Sequence, residues 1–210
     1  MILVTHGHFD HSASAPDLLL KSKKDTAKIC ANFEINLHFN KFRDVPEDRM
    51  EKMNSGGTID FGFAKVMMTP ADHSSSCMCP NGDIVNAGNP AGFVLSIPHL
   101  NARIYHAGDT NVFTDMGLIN ELGKPNILMI PIGDRFTMGA EGAAITCERF
   151  FPEARYIVPM HFGTFPLLTG TYDGFKSALE KRNVDLNRLI NTPEYKDDGK
   201  DWKVDLEQLK

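Results

Sequence analysis

Thr5-His6-Gly7-His8-Phe9-Asp10-His11 follows directly on the apolar run at residues 1–4 and sets three imidazoles and a carboxylate within six residues. An apolar strand that ends in such a turn presents its polar side chains at a sheet edge. At the chain's own His and Asp frequencies, HxHxDH arises by chance on the order of once in a thousand chains. Alternating His6 and His8 can reach one metal ion, while Asp10 and His11 point to another. Neutral imidazole and carboxylate are ligands that zinc, manganese, iron and nickel accept.

One short motif cannot fill two metal sites, so further ligands must come from distant positions. His73 stands in Pro70-Ala71-Asp72-His73-Ser74-Ser75-Ser76, just past a strand candidate at 64–69. Asp109 stands in Tyr105-His106-Ala107-Gly108-Asp109-Thr110 and His161 in Val158-Pro159-Met160-His161-Phe162-Gly163-Thr164, again at the ends of apolar runs. An α/β sheet builds a site from strand ends along one edge. A lone strand-end His is ordinarily bonded to backbone. With an open metal site nearby that needs partners, His73, Asp109 and His161 become candidate ligands. His38, on a helix candidate beside Asn36, Asn40 and Lys41, reads as a surface residue. His99, in a Pro-Asn loop, reads the same way. His106, three residues before Asp109, either orients a ligand or packs within its strand.

The 210 residues are 42% hydrophobic and 23% charged, with 14 Phe and 10 Met, enough for one sizeable core and too apolar for wholesale disorder. Lys and Arg number 22 against 27 Asp and Glu. The net charge of -5 excludes the basic footprint that non-specific nucleic-acid binding needs. No apolar stretch reaches membrane-spanning length. Residues 1–4 are too short and uncharged for a secretory signal. Cys30, Cys77, Cys79 and Cys147 include one CxC but no second close pair for a four-thiolate zinc site. They read as reduced thiols of a cytoplasmic protein.

A helix is expected over 12–24, with Pro16 early in it and Leu18–Leu20 supplying apolar contacts. A short strand at 27–30 and a short helix at 33–39 follow. Asn54-Ser55-Gly56-Gly57 is a turn before strand candidates at 58–61 and 64–69. Residues 92–97 and 103–106 read as a hairpin. Helices at 113–122, 141–151 and 172–181 alternate with apolar strands at 127–132 and 156–160. Hairpins mixed with alternating strands and helices indicate a layered α/β domain over 1–193. Residues 194–210, with six acids and four bases, read as a charged tail.

HxHxDH at 6–11, His73, Asp109 and His161 together resemble the five-motif set of the metallo-β-lactamase superfamily. The stretches His73-Ser74-Ser75-Ser76, Tyr105 to Thr110, Pro131-Ile132-Gly133, Phe136-Thr137-Met138-Gly139 and Pro159 to Pro166 are similar to its small metal-dependent hydrolases related to the ascorbate-6-phosphate lactonases. The likeness runs from about residue 1 to 190. It implies an αββα four-layer sandwich with the metals at one edge. It also implies two divalent metal ions, zinc first, with manganese, nickel and iron as alternatives. His6, His8 and His73 would hold the first, Asp10, His11 and His161 the second, with Asp109 bridging. Asp134-Arg135 stands where many members of that branch have small residues. In the resembled fold several strands precede the HxHxDH turn, whereas here the motif begins at His6, so the domain is expected with its N-terminal strands missing. The sheet edge left open favours a homo-oligomer or a compensating element.

The function implied is hydrolysis of a small ester, lactone or phosphodiester by a metal-bridging hydroxide, with Asp10 steering the proton and Asp109 held between the metals. The partner expected is a small-molecule substrate, with neither nucleic acid nor membrane. Two alternatives use the same ligand frame: an iron-dependent oxygenase or oxidoreductase, and a non-catalytic metal-binding protein. Iron content with oxygen uptake separates the first, and turnover separates the second.

Overall fold

The apolar start of the chain forms a two-residue strand, β1 (Ile2–Leu3), paired in parallel with β2 (Ile29–Asn32), which pairs in parallel with β3 (Met50–Met53). The computed structural model describes residues 1–191, so the tail assigned to 194–210 lies outside the described residues. A second sheet starts with β4 (Thr58–Asp60) and β5 (Lys65–Pro70). The small hairpin of β6 (Ser76–Met78) and β7 (Ile84–Asn86) stands apart from it. Strands β8 (Ala91–Ile97), β9 (Ala102–His106), β10 (Ile127–Pro131) and β11 (Tyr156–Met160) complete the sheet in spatial order β11-β10-β9-β8-β5-β4. The helices are α1 (Phe9–Ser12), α2 (Ala15–Lys21), α3 (Phe33–Arg43), α4 (Met116–Gly123), α5 (Ala140–Ile145) and α6 (Tyr172–Lys181).

Side-chain alternation along the strands sorts the core into three layers. Ile29 and Ala31 of β2 pack outward with Leu19 of α2 and with Ile35 and Phe39 of α3. Cys30 points the other way and joins Met53, Val66, Met68 and Phe93 between the sheets. Beyond the second sheet, Tyr105, Leu128 and Ile130 pack with Met116 and Ile119 of α4, Ala144 of α5 and Phe175 of α6. Helices, sheet, sheet, helices: the molecule is the αββα sandwich expected.

The pairing explains where the chemistry gathers. Strand β8 is antiparallel to both β5 and β9, while β9, β10 and β11 run parallel. The C-terminal ends of β5, β9, β10 and β11 therefore share one edge of the sheet, as ligand sites in α/β folds require.

Several elements differ from expectation. The helix expected over 12–24 is shorter, α2 at Ala15–Lys21 with Pro16 in its first turn. The separate short helix α1 at Phe9–Ser12 precedes it, since Pro16 has no N–H to donate to the Ser12 carbonyl. Of the three leucines, Leu19 is buried, whereas Leu18 and Leu20 are exposed. The helix expected over 33–39 runs on to Arg43, opened by Asn32 Oδ1 accepting from Ile35 N at 2.8 Å. The helix expected over 141–151 is α5 followed by a π turn at Thr146–Phe150. Strands β3, β6 and β7 were not foreseen.

Candidate metal centre

The turn after β1 is pinned from both sides. Gly7 N–H donates to Ser75 Oγ at 3.1 Å, and Ser12 Oγ donates to the Gly7 carbonyl at 2.8 Å. A Cβ at position 7 would stand 2.7 Å from the Ser76 carbonyl oxygen, so the close approach of chain to chain admits glycine there. His6 and His8 flank it and turn to the same centre, with His6 Nε2 3.0 Å from His8 Nδ1. Thr5 Oγ1 lies 3.0 Å from His6 Nδ1 and fixes the ring. Helix α1 then carries Asp10 and His11 to the opposite side.

The strand ends supply the rest. His73 follows β5. Asp109 follows β9 through Gly108, which has φ +67° and whose Cβ would stand 2.5 Å from the Ala91 carbonyl. His161 follows β11 in the left-handed region at φ +54°, a conformation costing a non-glycine residue roughly 1–2 kcal/mol.

Four imidazoles converge on one carboxylate oxygen. Asp109 Oδ2 is 3.1 Å from His161 Nε2, 3.2 Å from His11 Nε2, 3.8 Å from His73 Nε2 and 3.9 Å from His6 Nε2. Asp10 Oδ2 stands 3.2 Å from His11 Nε2 and 3.7 Å from His161 Nε2. Three groups are spaced to hold a cation: His6, His8 and His73; His6, His11 and Asp109; and Asp10, His11 and His161, with ligand atoms within 4.8 Å of one another in each. All seven residues expected to form the centre are brought together.

Burial tunes these groups. It pushes the His6 pKa down to about 2, aided by the charge of His11, so this ring is neutral at pH 7. His73 is also lowered, first by burial. For Asp109, burial acts upward but is outweighed by the His11 and His161 imidazoles, which hold the carboxyl well below its ordinary value. At His161 burial acts downward, and the neighbouring carboxylates of Asp109 and Asp10 overcome it and raise the pKa.

The donor set fits divalent cations. His11 Nε2 and His161 Nε2 are buried and face Asp109 Oδ2, at 3.2 and 3.1 Å, and Asp10 Oδ2, at 3.2 and 3.7 Å, outside hydrogen-bonding geometry. Buried imidazole nitrogens gathered on carboxylates in this way are what a cation completes.

Other histidines divide. His99 is exposed, as expected. His106 accepts from Gly108 N–H through Nδ1 at 3.2 Å, so it serves the turn that carries Asp109. His38 departs from the surface reading: it is half-buried, its Nδ1 is buried without a partner, and it lines the same cleft as His8, His73 and His161. That cleft measures about 830 Å³. Ser12 and Ser75, which pin the motif turn, were not singled out as site residues, although Ser75 lies in the His73-Ser74-Ser75-Ser76 stretch. Asp134 and Arg135 both take positive φ, and the Asp134 carboxylate accepts from Arg135 N–H at 2.8 Å. The tight turn they form leads into Phe136, a cleft residue. All four cysteines are free, and burial raises the Cys77 thiol to about 11, which leaves it a poor nucleophile. Among the described residues no helix is long and apolar enough to cross a membrane.

Comparison with known proteins agrees with this centre. The family model of the beta-lactamase superfamily domain matches residues 1–162. A UPF0173 metal-dependent hydrolase of Mesorhizobium japonicum is 44% identical over 183 residues, covering 87% of this chain and 75% of that protein. A namesake from Archaeoglobus fulgidus is 39% identical over 192 residues, covering 91% and 78%. Among solved structures, Igni18, a metallo hydrolase from the archaeon Ignicoccus hospitalis, superposes with a TM-score of 0.74 at 26% identity, covering 92% of this chain and 76% of that one. With a fold, a ligand-rich sheet edge and relatives that agree, the chain belongs to the metallo-β-lactamase superfamily, among its metal-dependent hydrolases.

Proposed function

We propose that the seven side chains hold two divalent cations, and that the protein hydrolyses a small ester, lactone or phosphodiester. His6, His8 and His73 would hold one cation and Asp10, His11 and His161 the other, with Asp109 between. The observation that carries this reading is the convergence of four imidazole Nε2 atoms within 3.1–3.9 Å of Asp109 Oδ2. Bound cations, zinc first among the candidates, supply the Lewis acidity that makes water a nucleophile near neutral pH and polarises the scissile bond. The chain's own groups do the rest. Asp109, kept anionic, neutralises the positive charge gathered at the centre. His6, kept neutral, offers a lone pair without first losing a proton. Asp10 is the more exposed carboxylate and stands at the cleft, where its oxygen can take the proton from the attacking water and return it to the leaving group. The four free thiols suit a reducing compartment, which favours the cytoplasm.

The test is metal analysis of the purified protein, followed by a hydrolysis screen over lactones, thioesters and phosphodiesters with each metal. Asp109→Ala and His8→Ala are expected to lower bound metal and abolish hydrolysis. Unchanged activity in either variant would defeat the assignment.

A further inference from the structure

Six large apolar side chains line the cleft around the metal centre while staying between 43% and 75% exposed: Phe9, Met78, Ile84, Phe136, Phe165 and Leu167. They come from four separate segments, namely α1, the β6–β7 hairpin, and the loops after β10 and β11. An exposed apolar residue standing alone is ordinary on a protein surface. Six gathered on one opening that also holds His8, Asp10, His73, Asp109 and His161 form a patch of the kind that marks a binding site. The cationic side of the lining is sparse. Among the described residues its one Lys or Arg is Arg43, already paired with Asp17 at 3.1 Å. A phosphate ester is ordinarily met by free guanidinium or ammonium donors, and the cleft lining presents none.

We infer that the substrate is a carboxyl derivative, an ester or lactone, bearing an apolar acyl or aryl group of several carbons that rests on this rim. The inference narrows the hydrolase reading above and rests on it. Hydrolysis adds water across the acyl C–O bond, yielding a carboxylate, an alcohol and one proton, and needs no other reactant. The rim is continuous with the metal-ligand cluster, so an apolar group seated there leaves its carbonyl facing the centre. A second copy of the chain seated on the same rim would instead close the opening over His8, Asp10 and His161.

The experiment uses zinc- and manganese-loaded protein with p-nitrophenyl acetate, butyrate and octanoate. In parallel, calorimetry measures binding of acetohydroxamate and octanohydroxamate. We expect kcat/KM and hydroxamate affinity each to rise about fourfold per added methylene, in line with the burial of a CH₂ group. Ile84→Asn should flatten both slopes. Ile84 is exposed, so this change leaves the core intact. Hydroxamate affinity that ignores chain length overturns the inference. Affinity that rises with chain length, joined to no turnover of any ester, lactone, thioester or phosphodiester, sustains the apolar ligand class and overturns the hydrolase reading. A dimer that Ile84→Asn converts to monomer shows the rim to be a subunit interface and overturns the inference.

Discussion

Thr5 holds no cation in the proposed arrangement, yet its hydroxyl stands 3.0 Å from His6 Nδ1 and is itself buried. By engaging Nδ1 it leaves His6 Nε2 for the centre and fixes the plane of the ring. Groups of this kind behind a ligand typically contribute 10–100-fold to metal affinity. Thr5→Val keeps the shape and removes the hydroxyl, so metal affinity measured against a competing chelator should fall by about 10-fold or more while the fold persists. An unchanged affinity would show that packing alone orients His6. At this scale the residues that gather at the centre are legible because their chemistry is concentrated in a few residue types at strand ends. His38 reads as surface from the sequence because Asn36, Asn40 and Lys41 beside it are polar. Asn36 is in fact fully buried, donating through Nδ2 to the Ala31 and Asn32 carbonyls at 3.0 Å. Ile35 and Phe39 bracket the buried face of α3, and His38 sits on its flank, turned to the cleft. A polar residue buried by backbone hydrogen bonds leaves no trace in hydropathy.

At the scale of elements, what the sequence reveals depends on how a strand is buried. Strands β10 and β11 are apolar runs with every second residue buried and could be read directly. Strand β3 is not: its middle residues Glu51 and Lys52 pair with Lys28 and Glu47, leaving just Met50 and Met53 at its ends to mark the core. The β6–β7 hairpin is short and partly exposed, with Ser76–Met78 paired to Ile84–Asn86. Its position is set by tertiary bonds, among them Gly7 N–H to Ser75 Oγ and Ser75 Oγ to the Ala87 carbonyl at 3.2 Å. Helix α6 is the opposite case, since Phe175, Ala178 and Leu179 form a regular apolar stripe against the second sheet. Phe175 is fully buried there. Phe175→Ala removes its contacts and leaves a cavity, and should cost about 3–5 kcal/mol in urea unfolding. Because α6 lies on the far face from the ligand edge, metal stoichiometry at low temperature should stay that of the parent protein. A matching loss of bound metal would show that α6 also supports the centre.

The whole molecule is a sandwich whose two sheets meet at the metal edge: β1 delivers the HxHxDH turn from one sheet, and β5, β9 and β11 deliver His73, Asp109 and His161 from the other. In the proposed arrangement, cations bound across that edge would tie the sheets together, so metal binding would be linked to global stability. At a free metal concentration 100 times Kd the linkage contributes about 2.7 kcal/mol, which for a chain of this size raises Tm by about 5–10 °C. Protons compete for the same lone pairs. His161, whose pKa the carboxylates of Asp109 and Asp10 raise despite its burial, must give up its proton before it can bind a cation. The sign follows: the metal-dependent increment in Tm is largest at pH 8, shrinks as pH falls through the histidine range, and is smallest near pH 5.5. His161→Ala should reduce the increment at pH 8 and weaken its dependence on pH. Scanning calorimetry with zinc and with excess chelator, at pH 8, 7, 6 and 5.5, measures both. An increment that stays constant over that range would mean that the cations bind elsewhere than at this edge.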